Sequence, residues 1–165
     1  MHSAYPGRGL DSGTVTTSAA VPTDLLALDR QVCFALAVAA REVTAAYKPL
    51  LEPLGLTHPQ YLVMLALWEA SPVRAGDLAR RLSLEPATLS PLLKRLETRG
   101  LVTRARDPRD ERALAVTLTA QGTALRAEAE RIPPAVVERL GMGLDELEHL
   151  RDSLTSLIAA ARSGA

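Results

Sequence analysis

Residues 75–118 decide the fold, and they read AGDLARRLSLEPATLSPLLKRLETRGLVTRARDPRDERALAVTL. In the first half apolar residues recur at helical spacing, and Gly100 then stops the pattern after a basic last turn, which is typical of a helix end. In the second half the period changes to two, which predicts a β-hairpin with a charged tip. The predicted elements are a short helix at 75–82, a turn around Ser83, a helix at 86–99, strands at 101–106 and 112–118, and a tip at 107–111.

A short helix, a tight turn and a second helix followed by a basic hairpin form the winged helix-turn-helix arrangement, whose second helix enters the DNA major groove. That helix carries hydroxyls and cations suited to bases and phosphates, and the hairpin carries arginines suited to a minor groove. Pro91 removes a backbone donor, but the carbonyl that it leaves without a partner lies in the first turn. The candidate DNA contacts are Thr88, Ser90, Lys94, Arg95, Arg109 and Arg112.

The charge is unevenly distributed along the 165 residues. The formal net charge is zero, yet the segment from Arg74 to Arg112 holds ten basic and six acidic residues, a net of +4, and the remainder is −4. Local charge matters more for a polyanionic partner than the sum does. We therefore expect double-stranded DNA as the partner; the alternative is a solvated basic surface on an all-helical domain.

The rest of the chain is mainly helical, so the fold class is mainly α (α+β). Residues 1–22 lack an apolar period and are expected to be a disordered tail, and a single domain fills 23–165. Prolines 133 and 134 interrupt the pattern after residue 131, and the last helix has a leucine stripe that requires a partner helix. The further predicted elements are helices at about 24–47, capped by Thr23, at 57–70, at 120–131, and after Gly143, with a turn-rich connection at Pro49 and Pro53.

Several quoted segments resemble the MarR family of bacterial regulators: AGDLARRL at 75–82, TLSPLLKRLE at 88–97, GLV at 100–102, DER at 110–112 and VTLTAQG at 116–122. The resemblance implies a homodimer on a pseudo-palindromic operator, in which the terminal helices, at about 24–47 and 120–163, intertwine. Each subunit then presents one winged helix-turn-helix at about 57–118. Asp110 and Arg112 match the acid and the arginine of the family's wing, so the resemblance implies that both are DNA-binding residues.

Within that family, LDRQVCFAL at 28–36, YKPLL at 47–51 and PQYLVMLALWE at 59–69 are similar to the OhrR subfamily of organic hydroperoxide sensors. The resemblance implies that Cys33 is the redox-sensing residue and that its oxidation releases the operator. Cys33 is the only cysteine. This is therefore the one-cysteine type, in which a low-molecular-weight thiol forms the mixed disulfide.

A sensing cysteine must react as a thiolate, and a thiolate needs donors nearby. Tyr47 follows Cys33 by 14 residues, about 21 Å along one continuous helix, so a contact between them must come from the other subunit. The resemblance implies tyrosine donors from both subunits. At two of the family's tyrosine positions this sequence has Ala37 and His58 instead, and Tyr47 remains at a third. Tyr47 and His58 are therefore the candidate thiol-stabilising residues.

Composition excludes other classes of function. A lone cysteine, the absence of a membrane-length apolar run and the absence of a signal sequence predict a cytoplasmic protein with no membrane partner. His2, His58 and His149 are scattered and no phosphate-binding glycine loop is present, so we expect no metal, no cofactor and no enzyme activity. The alternatives are a repressor released by a small apolar or phenolic ligand, with Cys33 structural, and a thiol peroxidase.

Overall fold

The computed structural model describes residues 24–107 and 110–164, and for residues 107 and 110–113 it describes the backbone alone. The chain divides between Leu36 and Ala37 into two units, which are described in turn. In chain order the elements of the described residues are a 3₁₀ turn (Leu28–Arg30), α1 (Val32–Leu51), α2 (His58–Glu69), β1 (Val73–Arg74), α3 (Ala75–Leu82), α4 (Pro86–Thr98), β2 (Val102–Asp107), β3 (Asp110–Leu118), α5 (Ala120–Ala129), α6 (Ile132–Leu140) and α7 (Leu144–Ser163).

In the N-terminal unit, the first helix begins later than its apolar spacing predicts. The prediction was Asp24, but α1 starts at Val32 because the backbone of Gln31 is extended. The side-chain amide of Gln31 donates to the carbonyl oxygens of Leu25, at 2.6 Å, and Ala27, at 3.4 Å. These bonds hold the preceding segment in a turn instead of a helix. The predicted cap, Thr23, lies outside the described residues.

In the second unit, α1 continues four residues beyond the predicted end at Tyr47 and includes Pro49. Proline removes a helix hydrogen bond but has a helical φ, so the last turn tolerates it. A glycine with positive φ closes the turn after the helix: Gly55 has φ +62°, the amide of Leu56 donates to the carbonyl of Leu51, and that of Gly55 donates to the carbonyl of Glu52. This ending turns the chain into α2.

The helix-turn-helix and the hairpin are confirmed. Ser83, in the left-handed region at φ 54°, separates α3 from α4, and Gly100 ends α4 at φ +71°. Antiparallel β2 and β3 pair Val102 with Leu118 and extend further toward the tip than predicted. The strand β1 was missed, because two residues show no period; it pairs with β3, and the sheet order is β1-β3-β2.

Aliphatic side chains fill the core between α2, α3, α4 and the sheet. The side chains that are less than 2% exposed are Leu51, Val63, Met64, Leu67, Leu78, Leu89, Leu93, Leu96, Leu101, Val102 and Val116. Three of them come from one face of α4, so the core fixes that helix and leaves its opposite face to solvent. The side chain of Trp68 packs at the edge of the core and donates to the carbonyl of Gly122 at 2.8 Å.

The C-terminal segment contains three helices, where the sequence predicted two. Prolines 133 and 134 end α5 as expected, but they then occupy the first turn of α6, where a missing N–H is harmless. No residue of α7 is buried. None of the helices in the described part of the chain is long and apolar enough to cross a membrane.

Candidate DNA-reading surface and thiol site

The outer face of α4 carries the four predicted contact residues of this helix. Thr88, Ser90, Lys94 and Arg95 are all exposed, while Leu89, Leu93 and Leu96 on the inner face are buried. The α4 helix is continuous through Pro91, whose ring lies on the exposed side. The inner face of α4 is therefore fixed by the core, and its outer face presents hydroxyl and cationic groups to solvent. A helix of this kind fits the DNA major groove.

The wing residues predicted to touch DNA are only partly described. Arg109 lies outside the described residues, and so do the side chains of Asp110 and Arg112. Their backbone positions are the start of β3. Contacts of these three residues with DNA stay predictions.

Several of the arginines counted in the basic segment are neutralised by acids. Arg81 pairs with Glu69, Arg80 pairs with Asp77, and Arg104 pairs with Glu97. Lys94 and Arg95 form no ion pair with a described side chain. Among the described side chains of α4, Lys94 and Arg95 therefore keep their charge available to DNA.

Arg99, which follows α4 directly, holds a position that the sequence did not predict. Its guanidinium donates to the carbonyl of Leu54 at 2.9 Å and to the carbonyl of Gly55. These acceptors lie more than forty residues earlier in the chain. No local pattern signals this link, because it depends on how α4 packs beside the end of α1.

The predicted redox residue, Cys33, is the second residue of α1 and is exposed. It belongs to the N-terminal unit. An exposed thiol is accessible to an oxidant, in contrast to a small core residue.

The two predicted thiol-stabilising residues lie together in the second unit. The rings of Tyr47 and His58 meet edge to face with centroids 5.0 Å apart, and Tyr61 lies 5.9 Å from Tyr47. Burial raises the pKa of Tyr47. The pKa of Tyr61 is raised mainly by burial and to a smaller extent by the charge of Tyr47. Burial lowers the pKa of His58. At neutral pH the cluster therefore offers neutral phenols and a neutral imidazole.

An open groove lies beside this cluster. It has a volume of about 790 Å³ and is lined by residues of α1, among them Arg41, Thr44 and Lys48, and by residues that follow α1, among them Glu52, Leu56 and His58. We call it the α1–α2 groove. Its lining is largely apolar with a few charged groups, a composition suited to an amphipathic molecule or a helix. Among the described residues, no group of three histidine, cysteine or acidic side chains is placed to hold a metal.

The packed helix pair, the exposed face of α4 and the hairpin define a winged helix-turn-helix regulator. The MarR family profile matches residues 56–114. The chain is 38% identical over 135 residues to the organic hydroperoxide resistance transcriptional regulator of Bacillus subtilis, a match that covers 82% of this chain and 92% of that protein. The chain therefore belongs to the MarR family of transcriptional regulators and is not an enzyme.

Other similar proteins and solved structures are also transcriptional regulators or DNA-bound proteins. The chain is 45% identical over 134 residues to the HTH-type transcriptional regulator TtmR of Methylorubrum extorquens, covering 81% of this chain and 69% of TtmR. Reduced AbfR bound to DNA, from Staphylococcus epidermidis, matches with 34% identity and a TM-score of 0.67, over 81% of this chain and 94% of AbfR. CouR from Rhodococcus jostii bound to p-coumaroyl-CoA matches with 27% identity and a TM-score of 0.69, over 80% and 94% of the two chains.

Proposed function

We propose that this protein is a dimeric repressor that binds a pseudo-palindromic DNA operator in the cytoplasm. It senses an organic hydroperoxide or a related oxidant through Cys33 and leaves the operator when that cysteine is oxidised. The observation that carries the proposal is the exposed Cys33 near the start of α1, combined with a cluster of neutral ring donors at Tyr47 and His58. The similarity to a hydroperoxide resistance regulator over most of the chain supports it.

The exposed apolar faces of the terminal helices support a dimer. Val32 and Phe34 of α1 are 63% and 40% exposed, and Leu150, Leu157 and Ile158 of α7 are 46%, 40% and 51% exposed. Apolar faces of this kind on two helices are stabilised by burial against a second copy. Two-fold symmetry then places two α4 helices about one DNA turn apart.

In the DNA complex, we assign base and phosphate contacts to Thr88, Ser90, Lys94 and Arg95. We also assign DNA contacts to the wing residues Arg109, Asp110 and Arg112, with Arg112 at a minor groove. Lys94 has no ion pair with a described side chain, so its charge is available to a phosphate. Replacing Lys94 by glutamine therefore removes one phosphate contact. The slope of log affinity against log salt concentration then falls by about one. Lys48→Gln, a change in the α1–α2 groove, is the matched control and leaves the slope unchanged.

The sensing chemistry has two steps. The Cys33 thiolate attacks one peroxide oxygen, the O–O bond breaks, the sulfur becomes a sulfenic acid, and the other oxygen leaves as an alcohol after taking a proton. A low-molecular-weight thiol then condenses with the sulfenic acid, forming a mixed disulfide and releasing water. We assign to Tyr47 and His58 of the partner subunit the hydrogen bonds that favour the thiolate.

The test is operator release measured by fluorescence anisotropy. Wild-type protein is expected to leave a duplex selected for binding when cumene hydroperoxide and a small thiol are added, and Cys33→Ser is expected to stay bound. Intact mass of the released protein should increase by the mass of the thiol less two hydrogens. Release of the serine variant at the wild-type peroxide concentration would refute sensing through Cys33.

A second candidate function is favoured by the α1–α2 groove. Its volume and largely apolar lining suit a small apolar or phenolic ligand, and CouR, a structural neighbour, is bound to p-coumaroyl-CoA. In this version the ligand releases the repressor and Cys33 is structural. Release of the operator by such a ligand, with no change in protein mass and with the same response in Cys33→Ser, would favour it.

A further inference from the structure

The guanidinium of Arg99 connects the DNA-reading helix to the end of α1. Arg99 is the residue that caps the C-terminus of α4, and its own amide donates to the carbonyl of Arg95. Its side chain reaches away from α4 to the carbonyls of Leu54 and Gly55. The backbone of Arg99 therefore caps the helix while its rigid, planar guanidinium bonds the loop.

The loop is shaped to receive this side chain. Gly55 has φ +62°, and a Cβ at this position would lie 2.6 Å from Nη2 of Arg99. The amides of Gly55 and Leu56 are used within the loop itself, in bonds to Glu52 and Leu51. The carbonyls of Leu54 and Gly55 remain as acceptors, and the missing side chain of Gly55 leaves the space that the guanidinium fills.

The same loop forms a wall of the α1–α2 groove. Glu52, Gly55, Leu56 and His58 all line the groove, and His58 contacts the ring of Tyr47. A displacement of this wall moves the carbonyls that hold Arg99. Leu93 and Leu96 pack in the core only a few residues before Arg99, so Arg99 links the loop to a firmly packed part of α4.

We propose that Arg99 is a positioning residue that couples the α1–α2 groove to the orientation of α4 on DNA. The biological use of this coupling rests on the proposed function. Release of DNA on oxidation requires that a change at the thiol site reach the reading helix. Coupling between two sites is reciprocal, so DNA bound to α4 must also stabilise the loop. That reciprocity gives a test that needs no oxidant.

The first experiment measures amide hydrogen exchange at residues 54–57 with and without a selected DNA duplex. DNA is expected to slow exchange in this loop at least about fivefold in the wild type. In Arg99→Lys, whose ammonium does not offer the planar pair of donors, the loop effect is expected to disappear. Protection of α4 by DNA remains in both proteins. Equal slowing of loop exchange in both proteins overturns the proposal.

Two further variants separate coupling from simple stability. Gly55→Ala crowds the guanidinium while keeping the arginine and also strains the loop at φ +62°, so it is expected to reproduce the loss seen with Arg99→Lys together with a lower melting temperature. Arg126→Lys alters an exposed arginine of α5 that lies 3.7 Å from Glu130, and it is expected to behave as the wild type. A purely structural role for Arg99 lowers the melting temperature but leaves DNA-dependent protection of the loop intact, which also overturns the proposal.

The second experiment measures the ratio of operator affinities before and after peroxide and thiol treatment. We expect Arg99→Lys to reduce this ratio at least about fivefold, and Arg126→Lys to preserve it. Failure of the wild type to release DNA refutes the sensing function, and hydrogen exchange still decides the coupling. If the wild type releases DNA and Arg99→Lys shows the same ratio of affinities as the wild type, the coupling alone is refuted.

Discussion

Arg104 and Glu97 are joined by three hydrogen bonds that tie the first wing strand to the reading helix. Nε of Arg104 lies 2.9 Å from Oε2 of Glu97, and the backbone amide of Arg104 donates to Oε1 at 3.2 Å. The sequence suggested only a base and an acid within a positively charged segment. The contact instead orients β2 against α4, so the two elements expected to meet DNA are held as one body.

The first prediction concerns pH. The hydrogen bond from Arg104 holds the pKa of the Glu97 carboxyl below its ordinary value, so the folded state binds its proton less readily than the unfolded state does. The stabilisation is therefore present above the ordinary glutamate pKa of about 4.3 and is lost as pH falls through the lowered value. Glu97→Gln should have a lower melting temperature than the wild type at pH 7, with the gap closing under acid conditions.

The control for this experiment is Glu128→Gln, a change at an exposed position of α5. Its melting temperature should follow the wild type at every pH. A gap between Glu97→Gln and wild type that stays constant from pH 7 to pH 3 would contradict the assignment of the ion pair.

The second prediction concerns Gly122, where α5 passes close to the strand that follows α4. A Cβ at this position would lie 2.0 Å from the carbonyl oxygen of Leu101 and 3.2 Å from Cδ2 of Leu118. Gly122→Ala should lower the free energy of unfolding by about 1–3 kcal/mol, measured in urea, because backbone must shift to admit the methyl group.

Gly76→Ala is the matched control for Gly122. Gly76 also lies in a helix, but a Cβ there meets nothing within 4 Å. The control should raise the free energy of unfolding by up to about 1 kcal/mol through helix propensity. Equal effects of the two substitutions would show that crowding at Gly122 is not the cause.

The third prediction concerns the exposed leucine stripe of α7. If a second copy covers it, Leu157→Glu places a charge in an apolar interface, and the dimer Kd should rise at least about tenfold, or 1.4 kcal/mol. Sedimentation equilibrium measures the change. Ser156→Glu adds the same charge on the side of the helix away from the leucine stripe and should leave the dimer Kd unchanged. A dimer Kd that Leu157→Glu does not change would mean that another surface joins the subunits.

The fourth prediction concerns the phenol of Tyr47. If Tyr47 donates to the thiolate, Tyr47→Phe should slow the reaction of Cys33 with cumene hydroperoxide about tenfold at pH 7, the effect of losing a hydrogen bond of about 1.5 kcal/mol to a charged group. Stopped-flow loss of the thiol gives the rate. Tyr61→Phe, in the same ring cluster, should react at the wild-type rate, and equal rates for all three proteins would exclude Tyr47 as the donor.

Local pattern predicted the elements whose signals lie within a few residues. The glycine stop at Gly100, the helix start near Thr57 and the period change after α4 each depend on signals between near neighbours, and each was confirmed. The start of α1 and the strand β1 were not predicted. The first depends on a side-chain bond from Gln31 to Leu25, and the second on pairing with β3, more than forty residues away.

For the candidate site, the sequence by itself determined which groups are present: hydroxyls and cations on one helix, a single thiol, a tyrosine and a histidine in place of a second phenol. Only the tertiary structure decided which of these groups meet. It paired Tyr47 with His58, neutralised Arg104 with Glu97 and used Arg99 to hold a loop. The physical reason is range, since periodicity and capping act over about one helical turn, whereas these contacts exist only once the core has packed distant elements together.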